Sequence, residues 1–294
     1  MNVDLTFCSG GRGIPLPALR FPRGKEEAAK GSHGTMEHTL RSSFLNLING
    51  IINFFVILSL SAAGFYAVYS LWDNHRVYQA AENVQADMIK LKPGIAEGGG
   101  ASFEDLLAVN PDVCAWVTLD HTNIDYPVLQ GSTNLTYINQ DVYGSFALAG
   151  SIYLDSRNNN DFSDKYSLLY GHHMENGSMF GDLDLYKEKA FFEENITGML
   201  LTRNGARELE IFACMLAEAG DPNIFEPTGR QTEAGGILNY IEQNAMYLHE
   251  DTLDRLKADD RAGILAFSTC SSEFTDARTI VFAWIKAETV QTEN

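Results

Sequence analysis

Three residues far apart in this chain carry the parts of a thioester chemistry. Cys270 stands in Ser268-Thr269-Cys270, Arg278 follows eight positions later, and His172 lies in Tyr170-Gly171-His172-His173. A thiol attacks carbonyl carbon, and an imidazole takes and gives protons. A guanidinium is always charged and offers planar paired donors that suit a carbonyl or an oxyanion. Brought together, these groups support acyl transfer through a covalent thioester.

Each signal is weak by itself. Cys270 follows the apolar run Ile264-Leu265-Ala266-Phe267 and precedes Ser271-Ser272-Glu273, so it stands where a buried strand leaves for a loop. A packing cysteine more often lies within such a run, whereas a nucleophile must reach a substrate. Gly171 permits a sharp turn or close backbone approach before the two histidines. In an extended segment His172 and His173 point to opposite faces, so only one can serve a given site. The competing reading is a backbone-bonded loop pair or half of a metal site, but no further His- or Cys-rich cluster supports a metal. Arg278 opens the run Thr279-Ile280-Val281-Phe282-Ala283-Trp284-Ile285, where an arginine is commonly a solvated strand end.

The elements that must position these residues read mostly as short strands between turn residues. Candidate strands are 115–119, 126–130, 151–154, 167–170, 198–202, 208–216, 263–268 and 279–286. That number suits a closed or nearly closed β-barrel, which leaves no exposed edges. Helices interrupt it at 103–109, in one or two pieces within 179–195, and at 236–248, where Ile237, Ile241, Ala245 and Leu248 recur at helical spacing. No internal repeat is present.

The chain has 294 residues, 45% of them hydrophobic, and a formal net charge of −18. Phosphate binding needs a basic surface, so nucleic acid is excluded as a partner. The four cysteines, Cys8, Cys114, Cys214 and Cys270, match no zinc or haem spacing. Cys114 and Cys214 sit in apolar surroundings and read as small buried hydrophobes, with a disulfide between any two left open.

No charged residue occurs from Ser42 to Trp72. The apolar core of that stretch, 51–71, is about 21 residues, roughly 31 Å as a helix and enough to cross a bilayer. Tyr66, Tyr69 and Trp72 fall near its end, as in an interfacial aromatic belt. The run is long for a buried core helix or a cleaved signal peptide, and no cleavage site follows it. An uncleaved anchor is therefore expected. Nearby Lys and Arg are almost balanced across it. Residues 1–43 hold six of 21 basic and four of 39 acidic residues, leaving 15 and 35, a net of −20, for the rest. A basic tail inside and an acidic domain outside is the more natural arrangement.

The expected organisation is a disordered cytoplasmic tail over 1–43, with Met36 an alternative start, and a transmembrane anchor over 44–72. A juxtamembrane helix and linker follow over 73–102, with Val77, Ala80, Ala81, Val84 and Met88 on one helix face. The folded domain occupies 103–288 and a short tail 289–294. The Gly98-Gly99-Gly100-Ala101-Ser102 linker is expected to tolerate a cut.

Several ordered stretches resemble class B sortases. They are Asn110-Pro111-Asp112-Val113 to Trp116, Thr122-Asn123-Ile124-Asp125-Tyr126-Pro127-Val128, and Ala149-Gly150-Ser151-Ile152-Tyr153-Leu154-Asp155. Tyr170-Gly171-His172-His173-Met174 with Met179-Phe180-Gly181 follows, then Ser268-Thr269-Cys270-Ser271 with Ala277-Arg278. The resemblance runs from about Phe103 to Ala287. It implies a mainly β fold with added helices, the sortase-type β-barrel, behind an N-terminal transmembrane helix in a single-pass protein of the Gram-positive cell membrane, with its catalytic domain outside. It implies a cysteine transpeptidase in which Cys270 is the nucleophile, His172 the acid/base and Arg278 the third catalytic residue. Ser268 and Thr269 would line the substrate site, and the helix before the cysteine strand would border the groove. Expected partners are surface proteins with a C-terminal sorting signal and a peptidoglycan peptide amine or a pilin lysine, with no metal and no cofactor. A pilin-polymerising enzyme, a secreted cysteine peptidase that mainly hydrolyses, and a non-catalytic binding module on the same barrel are the alternatives.

Overall fold

A computed structural model describes residues 31–94, 101–228, 236–270 and 276–286. The tail with Cys8, the linker glycines 98–100, Ser271-Ser272-Glu273 and the C-terminal tail lie outside the described residues. Among the described residues nine strands form one sheet: β1 Val113–Leu119, β2 Asp125–Leu129, β3 Ile152–Leu154, β4 Tyr166–Tyr170, β5 Thr197–Thr202, β6 Gly205–Glu218, β7 Tyr247–Leu248, β8 Gly263–Cys270 and β9 Ala277–Ile285. Their order is β5-β1-β2-β3-β4-β8-β9-β6-β7, and β5 also pairs with β6. That pairing closes eight strands into a barrel, which removes the exposed edges. β7 lies beside β6 beyond the β5 pairing, with Ala213 opposite Leu248.

Both faces of the central strands are buried, which explains their nearly continuous apolar runs. Leu265, Phe267, Val281, Ala283 and Ile285 pack into the barrel interior with Leu169, Leu200 and Ile211. Their alternating neighbours Ile264, Ala266, Ile280 and Phe282 form a second core outside. That outer core is covered by α5 (Gly236–Asn244) through Ile237, Leu238 and Ile241, and by α6 (Glu250–Ala258) through Leu253 and Leu256. The helix expected over 236–248 ends at Asn244. Past it, the backbone N–H groups of Met246 and His249 donate to the carbonyls of Cys214 and Phe212, so Leu248 belongs to the sheet.

The first helix, α1, spans Gly31–Ile89. It begins well before position 44, so residues 31–43 of the expected disordered tail are helical; no proline breaks the run before Pro93. A segment of it beginning at Leu40 is apolar and long enough to cross a membrane, with none of its apolar window buried by protein. The chain divides into two compact units near Val68.

In the second unit the helical residues from Val77 onward belong to the barrel. Val77, Tyr78 and Ala81 pack on the interior core, and Met88 is fully buried with Leu106, Val113 and Trp116. Polar stitches reinforce this packing. Lys92 Nζ reaches Asp125 Oδ1 at 2.8 Å and Thr118 Oγ1 at 2.9 Å, and Gln85 donates to the Asn123 carbonyl. Of the expected helix face, Val77, Ala81, Val84 and Met88 pack on the cores while Ala80 is exposed and Tyr78 packs as well, and the compact unit starts before Phe103. A cut in the linker would strip this face from the barrel, contrary to the expectation of tolerance. α2 (Phe103–Val109) then opens with a capping box between Ser102 and Asp105.

Met88→Ala in the full chain is expected to cost roughly 2–5 kcal/mol, the scale for truncating a fully buried Met. Denaturant unfolding followed by near-UV circular dichroism measures it; a change within error would detach this helix from the core.

Candidate active site

β8 lies between β4 on one side and β9 on the other. In the antiparallel ladder Cys270 is directly opposite Arg278. In the parallel ladder Tyr170 is level with Ser268, and the Gly171 N–H donates to the Ser268 carbonyl at 3.2 Å. His172 and Cys270 each lie two residues beyond that level pair. The three chemically suggestive positions thus gather at one end of three adjacent strands, from segments roughly 100 residues apart in sequence. The Cys270 side chain lies outside the described parts of the structure.

A cleft of about 290 Å³ opens there, lined by Leu135, Ile138, Tyr170, His172, Ser268, Thr269 and Arg278, with Phe225 beyond. His172 Nε2 lies 2.8 Å from the Ile138 carbonyl. A carbonyl only accepts, so Nε2 carries a proton and, in the neutral ring, Nδ1 is the basic nitrogen. Ser268 and Thr269 are almost fully buried and form the cleft floor; their hydroxyls find no partner among the described residues. Arg278 Nη1 donates to the Ala277 carbonyl at 3.1 Å, and the guanidinium forms no ion pair among the described residues.

His173 takes the opposite course. Its Nε2 meets Asp184 Oδ2 at 3.1 Å, on the 3-10 helix Gly181–Lys187 behind the strands. The same carboxylate binds Lys187 and accepts from Thr279 Oγ1 at 2.9 Å. Asp184 therefore grips the neighbour of His172 and the neighbour of Arg278 at once. Burial pushes its carboxyl up, but the bonds from His173, Lys187 and Thr279 outweigh it and bring the pKa to about 2. The Asp184 hydrogen bond raises His173.

One cleft wall is aromatic. Tyr170 stacks on Tyr153 at 5.2 Å between centroids and on Phe225 of α4 (Pro222–Phe225) at 6.3 Å. A fully buried carboxylate, Asp155, holds this wall by accepting from the Tyr170 hydroxyl, Asn134 and both Nε and Nη2 of Arg157, while Arg157 also donates to the Phe225 carbonyl. Burial pushes the Asp155 carboxyl up, but the Arg157 bonds and the other donors leave it below its ordinary value. A backbone constraint supports the opposite side. Gly150 has φ +58°, and a Cβ there would come within 2.5 Å of the Ile138 carbonyl oxygen that holds His172.

The structure brings Cys270, Arg278 and His172 to one strand end, together with Ser268 and Thr269, and turns His173 away. The helix expected to border the groove does not line it among the described residues; Ala219 and Phe225 do. Asp184, Asn134, Ile138 and Phe225 escaped the sequence reading, because a lone carboxylate or loop apolar residue carries no periodic signal. Cys214 is buried in the barrel core, and burial pushes the Cys114 thiol up to about 12, so both are poor nucleophiles. Neither forms a disulfide.

A closed eight-stranded barrel with this strand end defines a sortase fold. Sortase B of Listeria monocytogenes is 34% identical over 171 residues, covering 58% of this chain and 68% of that protein. Sortase B of Staphylococcus aureus is 26% identical over 237 residues, covering 80% and 95%. The solved structure of a Streptococcus pyogenes class B sortase involved in pilus biogenesis is 39% identical, with a TM-score of 0.57 over 63% of this chain and 97% of that one. No family model matches. The chain belongs to the class B sortase family of cysteine transpeptidases.

Asp184→Asn is expected to destabilise the fold by about 1–2 kcal/mol at pH 5–6, allowing for partial exposure. Asp184 is lowered from its ordinary 3.8, so its contribution is complete above that value and fades as pH falls toward about 2. His173 is raised, so its contribution is complete below its ordinary 6.5 and is lost as pH rises through the folded value. Denaturant midpoints of both chains from pH 2 to 9 should converge at the acid end and approach each other on the alkaline side. A constant gap would remove the charge pairing from the account.

Proposed function

We infer that this is a membrane-anchored transpeptidase that cleaves the C-terminal sorting signal of surface proteins and passes the acyl group to a cell-wall peptide amine. The single observation that carries the reading is the register of β4, β8 and β9, which sets Cys270 opposite Arg278 and His172 beside the same cleft. In the proposed organisation 44–72 is the anchor and the catalytic unit stands outside the cell.

In the proposed reaction the Cys270 thiolate attacks a backbone carbonyl of the sorting signal, laid along the aromatic wall of Tyr153, Tyr170 and Phe225. The carbonyl electron pair moves to oxygen, and Arg278 meets that oxyanion or the adjacent peptide carbonyl with its paired N–H groups. His172 gives a proton to the departing amine as the C–N bond breaks, leaving a thioester. It then takes a proton from the incoming amine, which attacks the thioester; the C–S bond breaks and the Cys270 sulfur leaves as the thiolate that began the cycle. A cation beside the cysteine favours the thiolate throughout. A second reading makes the acceptor a pilin lysine; the 39% identity to the streptococcal enzyme of pilus biogenesis supports it.

Incubating a sorting-signal peptide with a nucleophilic amine should give an acyl-enzyme mass on the wild-type chain and a ligated product. Cys270→Ala should give neither while remaining folded. His172→Ala should lose at least about 10²-fold in turnover, the usual scale for an acid/base group, and His173→Ala much less. Equal loss in both folded variants would undo the assignment, and a carboxylic acid as main product would make the enzyme a peptidase.

Arg278→Lys keeps the charge but loses the planar fork. Single-turnover acylation should fall by about 10²–10³ in Arg278→Ala, the scale of a lost oxyanion donor, and nearly as far in Arg278→Lys. Recovery of most activity in the lysine variant would limit Arg278 to favouring the thiolate.

A further inference from the structure

An apolar cavity of about 310 Å³ lies away from the cleft, between the helical residues from Asp73 to Met88 and the loop 139–150. The loop presents its large apolar side chains outward. Phe146 is 76% exposed, Leu148 57% and Tyr143 50%. This is a built conformation. Asp141 Oδ1 accepts from the Tyr143 and Ser145 N–H groups, the Asp141 N–H donates to Ser145, and Ala147 donates to Asn139. Val142, within the same turn, is buried, and its carbonyl accepts from Asn110. The turn is thus pinned from inside while its neighbours are held in the open. A contiguous exposed apolar patch of this kind marks a contact surface.

What it contacts follows from its neighbours. Asp73 and Arg76 line the same cavity as Phe146 and Leu148. They come one turn after Tyr69 and Trp72, themselves exposed aromatics at the end of the uncharged stretch, and the Arg76 guanidinium sits 4.9 Å over the Trp72 ring. An aromatic pair backed by a cation at the end of an apolar helix is the pattern of a bilayer interface. The loop patch therefore lies beside the helical residues that directly follow this aromatic pair. We propose that Phe146, Leu148 and Tyr143 rest in the interfacial layer of the lipid bilayer, so that the catalytic unit meets the membrane at a second point besides its helix. This rests on reading the apolar helix as a membrane anchor. The unit is acidic, and Asp73, Asp141 and Arg76 do not sum to a basic patch, so the contact is apolar and independent of salt.

The test uses the full chain in phosphatidylcholine vesicles. A nitroxide is placed at Phe146→Cys or Leu148→Cys in a Cys8→Ser, Cys270→Ala background, and the background alone reports any labelling of Cys114 or Cys214. Collision rates with oxygen and with a water-soluble nickel chelate give depth. Leu58→Cys, within the apolar stretch, is the bilayer reference, and Asp254→Cys, exposed on α6, is the water reference. Nickel collisions at 146 and 148 are expected to be several-fold below those at 254 and to approach those at 58, unchanged by added salt, with near-UV circular dichroism as in the parent. Water-like values at 146 and 148 with Leu58→Cys shielded would overturn the inference and leave the anchor standing. A water-like Leu58→Cys would overturn both. Shielding from both colliders with spin–spin broadening would mean that a second copy covers the patch, which also overturns it.

Discussion

The structure depends on the register of one strand, β8, held on both edges and both faces. Its parallel ladder with β4 and its antiparallel ladder with β9 fix the height of Ser268 against Tyr170 and of Cys270 against Arg278. The two cores make that height unique. A slip of one residue would exchange Leu265 and Phe267 with Ile264 and Ala266, filling the barrel with the wrong volumes and misfitting α5 and α6. The energy that selects the register is thus spread over the apolar side chains of both cores. Its outcome is the coincidence of three polar positions at one strand end.

Polar groups then do locally what the cores do globally. Asp184 reaches past the strands to His173 and Thr279, each adjacent in sequence to a candidate catalytic residue. Asp155 does the same for the aromatic wall through Tyr170, Asn134 and Arg157. Both carboxylates are saturated with donors, which is why burial does not neutralise them. Asp155 holds residues that line the cleft, and Asp184 holds the sequence neighbours of two that do.

Much of this was legible in the sequence. The eight barrel strands declared themselves through apolar runs between turn residues, and their bounds differ by only a few residues at the ends. The motifs around Cys270, His172 and Arg278 pointed to one site, but only the ladders put the three side by side. Elements without a sustained pattern were missed. β7 has two residues, and α4 has four. α6 is largely polar, with only Thr252, Leu253 and Leu256 buried, so its helical period is faint. The apolar face from Val77 to Met88 was legible except at Ala80, which is exposed, but periodicity shows only that a face is apolar and not what covers it. The cleft walls come from loops and a single helical turn, where Leu135, Ile138 and Phe225 obey no period.

The turn at Gly150 joins two parts of the molecule that have nothing in common chemically. Its positive φ lets the chain pass against the Ile138 carbonyl, the acceptor for His172, and the residues just before it form the outward apolar loop. A larger residue there would displace that carbonyl and, with it, the imidazole. In a saturation-mutagenesis map scored by activity, Gly150 would group with the candidate catalytic residues although it does not line the cleft. The inheritance of a functional allele here can hinge on the absence of a methyl group.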